Sequence, residues 1–183
     1  SSSKDRPKWK HVGKKTKWIY PYHINQDVFN EAVSKNGSVI FVESIGDMLA
    51  LFEKGFKNVL VTFGLDISPQ LICFLISLCA KKIILSFNND VEQKDNRGLN
   101  ACVKGYLNLV KFIGCDNIKI CLPTKNDFGD MSEQDFVGWK EKLDKVKELD
   151  QLEHIDNLIS TLAKSKFLSK NILKNRKYIN EYG

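Results

Sequence analysis

Histidine is scarce in this 183-residue chain, with three copies, and its five cysteines (Cys73, Cys79, Cys102, Cys115 and Cys121) nowhere form a CxxC pair. His11, His23 and His154 are scattered, and none lies at ligand spacing from a cysteine, which argues against a structural zinc site. The thiols therefore read as small apolar side chains, most of them inside predicted strands and helices and kept reduced in a cytosolic setting. No apolar run approaches the roughly 20 residues of a membrane span, so the chain reads as soluble and without a membrane partner. Ser1-Ser2-Ser3 lacks the apolar stretch of a secretory signal. It reads as an added extension or as the cut end of a larger protein. Internal repeats and low-complexity stretches are missing as well.

What is present suits one main globular domain with attached pieces: 43% hydrophobic and 27% charged residues, at a length that closes a single core. The net charge of +6 is unevenly placed. Residues 1–19 hold seven Lys or Arg against one acid, so the remaining 164 residues sum to zero. Within that remainder, 164–177 (KSKFLSKNILKNRK) carries six basic residues and no acid. An acidic body between two basic ends suits a polyanion held at the margins and metal ions held in the middle. Basic termini also occur as plain solvated tails.

Residues 1–22 mix lysines with Trp9, Trp18, Tyr20 and Tyr22 and show no clean period, which reads as loop or short strand. From Gly37 onward the pattern sharpens. Strands are expected at 38–44 (SVIFVES), 58–64 (NVLVTFG), 81–88 (KKIILSFN) and 117–123 (NIKICLP). Helices are expected at 46–56, stopping at Gly55, at 68–80 with Ser68 as N-cap and Pro69 at the first helical position, and at about 97–113. Two more are expected over 132–147 and 149–177. Apolar strands separated by helices indicate an α/β fold: a parallel sheet of about four strands, helices on both faces, a short basic N-terminal piece and a helical C-terminal appendage. The corresponding partition is 1–36, 37–131 and 132–183.

Function in such sheets gathers at the carboxyl ends of the strands. There the first strand ends at Glu43, with Asp47 one helical turn later; the second ends in Gly64-Leu65-Asp66; the third ends in Asn88-Asn89-Asp90; and Asp127 and Asp130 follow the fourth. Any one of these carboxylates could simply cap the next helix. All of them on one rim would repel one another unless a cation neutralised them, and a hard ion such as Mg2+ with retained waters fits oxygen donors.

The run Val42-Glu43-Ser44-Ile45-Gly46-Asp47 followed by Leu49-Ala50-Leu51, then NVLVTFG, IILSFNND, RGLNA and DFGDM, resembles the Toprim domain of bacterial and phage primases, topoisomerases and some nucleases. The resemblance covers about residues 38–131. It implies that Glu43 is the family's glutamate, that Asp47 is its second acid in that segment, and that Asn88-Asn89-Asp90 stands at its DxD motif with the first aspartate replaced by Asn88. An amide oxygen still coordinates a hard cation but brings no charge, so Asp127 or Asp130 would have to supply it. The family's glycine after the DxD comes late here, at Gly98, behind the insert VEQKDN, and Ser44 stands where many members have glycine.

Among Toprim proteins the likeness is greatest to the catalytic core of phage and bacterial-type DNA primases. It implies synthesis of RNA primers on a single-stranded DNA template from ribonucleoside triphosphates, with Mg2+ or Mn2+ as cofactor, a replicative helicase as partner, and a cytoplasmic location, that of the host if phage-encoded. In this reading Glu43 and Asp90 are catalytic. They hold metal together with Asn88, while Asp47, Asp127 and Asp130 place a second ion or orient waters. Lys8, Lys10, Lys14, Lys15 and Arg97 are the candidate phosphate contacts, although each lysine taken singly reads first as a solvated surface charge. The zinc-binding domain usual in those primases is missing, so the chain reads as a fragment. Two rivals stay open: a Toprim nuclease using Glu43 as base, and a DNA-binding Toprim module whose metal site has decayed at Asn88.

Overall fold

The computed structural model describes residues 18–90 and 96–145. Its framework is four short parallel strands: β1 (Ser38–Val42), β2 (Val59–Val61), β3 (Lys82–Leu85) and β4 (Ile118–Ile120). β1 is buried along its whole length, which is why its sequence is continuously apolar rather than alternating. The strand order is β2-β1-β3-β4, with Ile40 level with Val59 on one side and Ile84 on the other. The chain thus builds outward from β1 to β2, returns across β1 to β3, and continues to β4. The direction of winding reverses between β1 and β3, and in open α/β sheets a crevice for ligands opens at that point.

Five α-helices are described: α1 (Gln26–Asn36), α2 (Ile45–Glu53), α3 (Pro69–Leu78), α4 (Arg97–Ile113) and α5 (Glu133–Lys145). Alternate residues of each strand point to opposite faces. Val39, Phe41, Leu60, Ile83 and Leu85 pack with residues of α1, α3 and α4, whereas Ile40, Val42, Val59, Val61 and Ile84 pack with residues of α2 and α5. The result is the expected α/β sandwich. Ser68 caps α3 by accepting from Leu71 N–H at 3.2 Å, with Pro69 at the first helical position as anticipated.

Several expectations are corrected. Helix α1 is an addition to the expected elements: its apolar residues are few and only Phe29 and Val33, four residues apart on one face, are buried. Those two side chains and Ile19 lie in the same core as α3 and α4, and Phe136 and Trp139 of α5 lie in the core of α2. Of the cysteines, Cys102 and Cys121 are buried, with burial pushing their thiols up to about 12 and about 11, but Cys73 and Cys79 face water. Cys73 lies on the outer side of α3, and Cys79 is the residue just past its end, at φ +50°. The helix expected over 149–177 lies outside the described residues. No helix among the described residues is long and apolar enough to cross a membrane.

Candidate active site

Glu43 directly follows β1, half-buried at the carboxyl edge. The next residue, Ser44, ends the strand and starts α2 as its N-cap. Its hydroxyl accepts from Asp47 N–H at 3.2 Å, while Asp47 Oδ2 accepts from Ser44 N–H at 3.1 Å and from the Ser44 hydroxyl at 2.6 Å. This reciprocal capping box fixes the angle at which the chain leaves Glu43. The other Asp47 oxygen, Oδ1, accepts from Phe128 N–H at 3.2 Å. Asp47 is 2% exposed, and burial pushes its pKa up while the bonds from Ser44 and Phe128 pull the other way. Both its oxygens are thus engaged, Oδ2 within the α2 cap and Oδ1 with the loop after β4.

The turn after β3 divides its labour among three residues. Asn89 is structural: its N–H donates to Asn126 O at 2.7 Å and its side-chain amide to Pro123 O at 3.0 Å. Asn89 Oδ1 in turn accepts from Asn96 Nδ2 at 2.8 Å, and Asn96 Oδ1 caps α4 through Leu99 N–H at 3.0 Å. One amide thereby ties together three segments of the rim, which needs both a donor and an acceptor on one side chain and excludes aspartate. Asn88 and Asp90 flank it, partly exposed. Helix α4 lies against this turn so closely that a Cβ on Gly98 would sit 1.7 Å from Asn88 O. Gly98 therefore does admit the helix to the strand end, in spite of the preceding insert.

Sheet order makes β1 and β3 neighbours, so the segments that carry Glu43 and Asp90 leave the sheet at the same edge. The electrostatics register this. Burial is the main cause of a raised Glu43 pKa, Asp47 and Asp90 add to it, and the Arg97 guanidinium at the first turn of α4 opposes it. Asp127 caps the short 3-10 turn Phe128–Asp130 by accepting from Asp130 N–H at 3.0 Å, and its charge reaches Asp47. Asp130 is exposed, and Asp66 pairs with Lys104 at 2.6 Å. The rim is therefore less uniformly acidic than the sequence implies: Glu43, Asp90 and Arg97 share it, Asp47 is turned inward, and Asp66 is paired with Lys104. Lys8, Lys10, Lys14 and Lys15 lie outside the described residues. Sequence reasoning missed Ser44 and Asn96 as caps, although the Ser44-x-x-Asp47 spacing carries the capping signal.

A family model described as Toprim-like matches residues 40–132. The chain belongs to this Toprim-like family. Its fold is similar to that of the RNA polymerase domain of Mycobacterium tuberculosis primase DnaG, with a TM-score of 0.65 at 15% identity, covering 99% of this chain and 61% of that one. It is also similar to the Aquifex aeolicus primase structure containing zinc-binding and RNA polymerase domains, with a TM-score of 0.52 at 18% identity, covering 97% and 45%. This Toprim chain thus spans less than two thirds of either relative. None of the curated proteins compared with it matches significantly.

Toprim domains are typically catalytic and generally bind Mg2+. The donors present fit that ion. Among the described residues no group of three or more His, Cys, Asp or Glu side chains is arranged to hold a metal, so an all-protein cage is not formed there. Mg2+ does not require one: it is commonly held by one or two carboxylates, keeps several waters and completes its shell with phosphate oxygens. Glu43 and Asp90, two hard carboxylates on one rim with a neutral amide at Asn88 in the same turn, match that pattern.

Proposed function

We propose that the chain is the catalytic core of a DNA primase that joins ribonucleotides on a single-stranded DNA template. The observation that carries this reading is the pairing of Glu43 and Asp90 at the winding reversal of a primase-like fold, with Arg97 beside them. In the reaction the 3′-hydroxyl oxygen of the growing primer bonds to the α-phosphorus of the incoming ribonucleoside triphosphate. The bond to the bridging oxygen breaks, and pyrophosphate leaves. Glu43 and Asp90, assisted by the Asn88 amide oxygen, would hold Mg2+, which would supply charge neutralisation at the triphosphate. Arg97 contacts phosphate, Asp47 positions the Glu43 segment through Ser44, and Asp127 and Asp130 orient waters at the margin. The lysines of the N-terminal segment hold the template backbone, and a replicative helicase is the partner in this reading.

The test is template-dependent incorporation of labelled ribonucleotide with Mg2+ or Mn2+. Wild type is expected to extend primers, and Glu43→Gln to lower the rate by at least about a hundredfold with the fold intact. Retained turnover in Glu43→Gln would remove the metal-site reading. Cleavage of single-stranded DNA without nucleotides would assign the same acids to a nuclease instead.

A further inference from the structure

Beside the acidic rim, at the carboxyl end of β2, lies an open cavity of about 340 Å³. It falls within the range of roughly 300–1,000 Å³ usual for small-ligand pockets. Trp18, Phe63, Leu65, Ile67 and Pro69 supply most of its wall, and Thr62, Asp66 and Ser68 supply the polar atoms. Trp18 leaves 47% of its surface open. Phe63 is backed by Tyr20, whose ring centroid lies 5.8 Å away at 54°.

The backbone of this wall is unusual. Phe63 has φ +56° and the following Gly64 φ +139°. A bulky residue in the left-handed region is uncommon, and such strain concentrates at ligand sites because the surrounding structure must impose it. Thr62 imposes it here: its hydroxyl lies 2.5 Å from Gly64 O and 3.0 Å from Val42 O. Thr62 N–H also donates to Val42 O at 3.0 Å, and Val42 is the residue before Glu43. The cavity wall is thus tied directly to the strand end that carries the proposed catalytic glutamate.

Two features of charge favour a nucleic-acid occupant. The one carboxylate at the mouth, Asp66, is paired with the Lys104 ammonium. In sequence, Trp18 directly follows the stretch from Lys4 to Lys17, which holds seven Lys or Arg. A stacking surface next to a basic segment is the combination by which proteins grip single strands without reading their sequence.

We propose that this cavity receives an unpaired nucleobase of the single-stranded template, stacked on Trp18 and Phe63, one strand over from the Glu43 rim. The proposal rests on the nucleic-acid part of the function argued above and can be separated from its chemistry by working in EDTA. In fluorescence anisotropy with labelled oligo-dT, Trp18→Ala is expected to bind about 5- to 100-fold more weakly than the wild-type chain. Trp18→Phe should recover most of the affinity, and Phe112→Ala, an exposed aromatic outside this wall, should lose none. An oligonucleotide carrying 5-iodouracil should crosslink to Trp18 of the wild-type chain on irradiation.

Equal affinity in wild type and Trp18→Ala, an equal loss in Phe112→Ala, or crosslinks confined to other residues would each overturn the proposal. ATP offers the same base chemistry as a free nucleotide. If ATP displaces the oligonucleotide and its own binding requires Trp18, the assignment to the template strand is overturned. Trp18-dependent binding in a chain that fails to synthesise primers would leave this inference standing and remove the primase reading.

Discussion

A carboxylate set beside two others in a half-buried position is costly to ionise, and Glu43 is in that situation. Burial and the charges of Asp47 and Asp90 raise its pKa, so between the ordinary carboxylate value and that raised value the folded chain binds more protons than the unfolded one. Stability contributed by Glu43 therefore falls as pH rises through this window. Glu43→Gln is expected to raise Tm near neutral pH in the absence of divalent ions, with the gain vanishing in acid below the ordinary carboxylate range; thermal melts in EDTA across pH check this. Asn88 offers the complementary experiment. Asn88→Asp adds a second negative charge at the turn and is expected to tighten Mn2+ binding by roughly tenfold, since ligand charge tunes affinity. Unchanged affinity in an Mn2+ titration followed by paramagnetic resonance would place residue 88 outside the site. Asn89 shows why the neighbouring amide is not a similar vacancy: its donors and acceptor hold Pro123, Asn126 and Asn96 at once.

Between elements, Asp47 is the main connection, because one side chain closes the capping box of α2 and also accepts the Phe128 N–H from the loop after β4. Asp47→Ala removes a cap worth about 1 kcal/mol and orphans a buried N–H at about 1–3 kcal/mol, so a loss of about 2–4 kcal/mol is expected in urea unfolding. A loss below about 1 kcal/mol would show that the Phe128 bond contributes little. A similar box recurs at α5, where Ser132 and Asp135 exchange bonds at 3.3 Å and 2.6–3.0 Å. Both boxes follow Ser-x-x-Asp spacing and were within reach of the sequence. The inward turn of Asp47 was not, because it depends on a loop 81 residues away. The exposure of Cys73 likewise depends on which side of α3 meets the sheet.

At the scale of the molecule, the piece before β1 and the helix after the Toprim match complete the two cores instead of hanging from them. Phe29 and Val33 seal one face of the sheet, and Trp139, fully buried with its indole N–H donating to Cys121 O at 3.1 Å, seals the other. Removing a buried Trp or Phe costs about 3–5 kcal/mol, and a domain has only about 5–15 kcal/mol in all. A fragment of residues 37–131 is therefore expected to lack a cooperative thermal transition, whereas one of 18–145 should retain it. A sharp melt of the shorter fragment would show that residues 37–131 fold without these contacts.

By itself the sequence determined the local facts: four apolar segments, the helices α2 to α5, the caps at Ser68 and near Gly55, and a polar turn ending in Asp90. These follow from periodicity and from side chains acting within a few residues of their own backbone. Tertiary structure alone decided the order β2-β1-β3-β4, which sets Glu43 beside Asp90, turns Asp47 inward, pairs Asp66 with Lys104 and leaves the Trp18–Phe63 cavity open. Those outcomes depend on strand pairing and close approach between segments distant in the chain, and hydrophobic pattern specifies which surfaces are buried without specifying which segments meet.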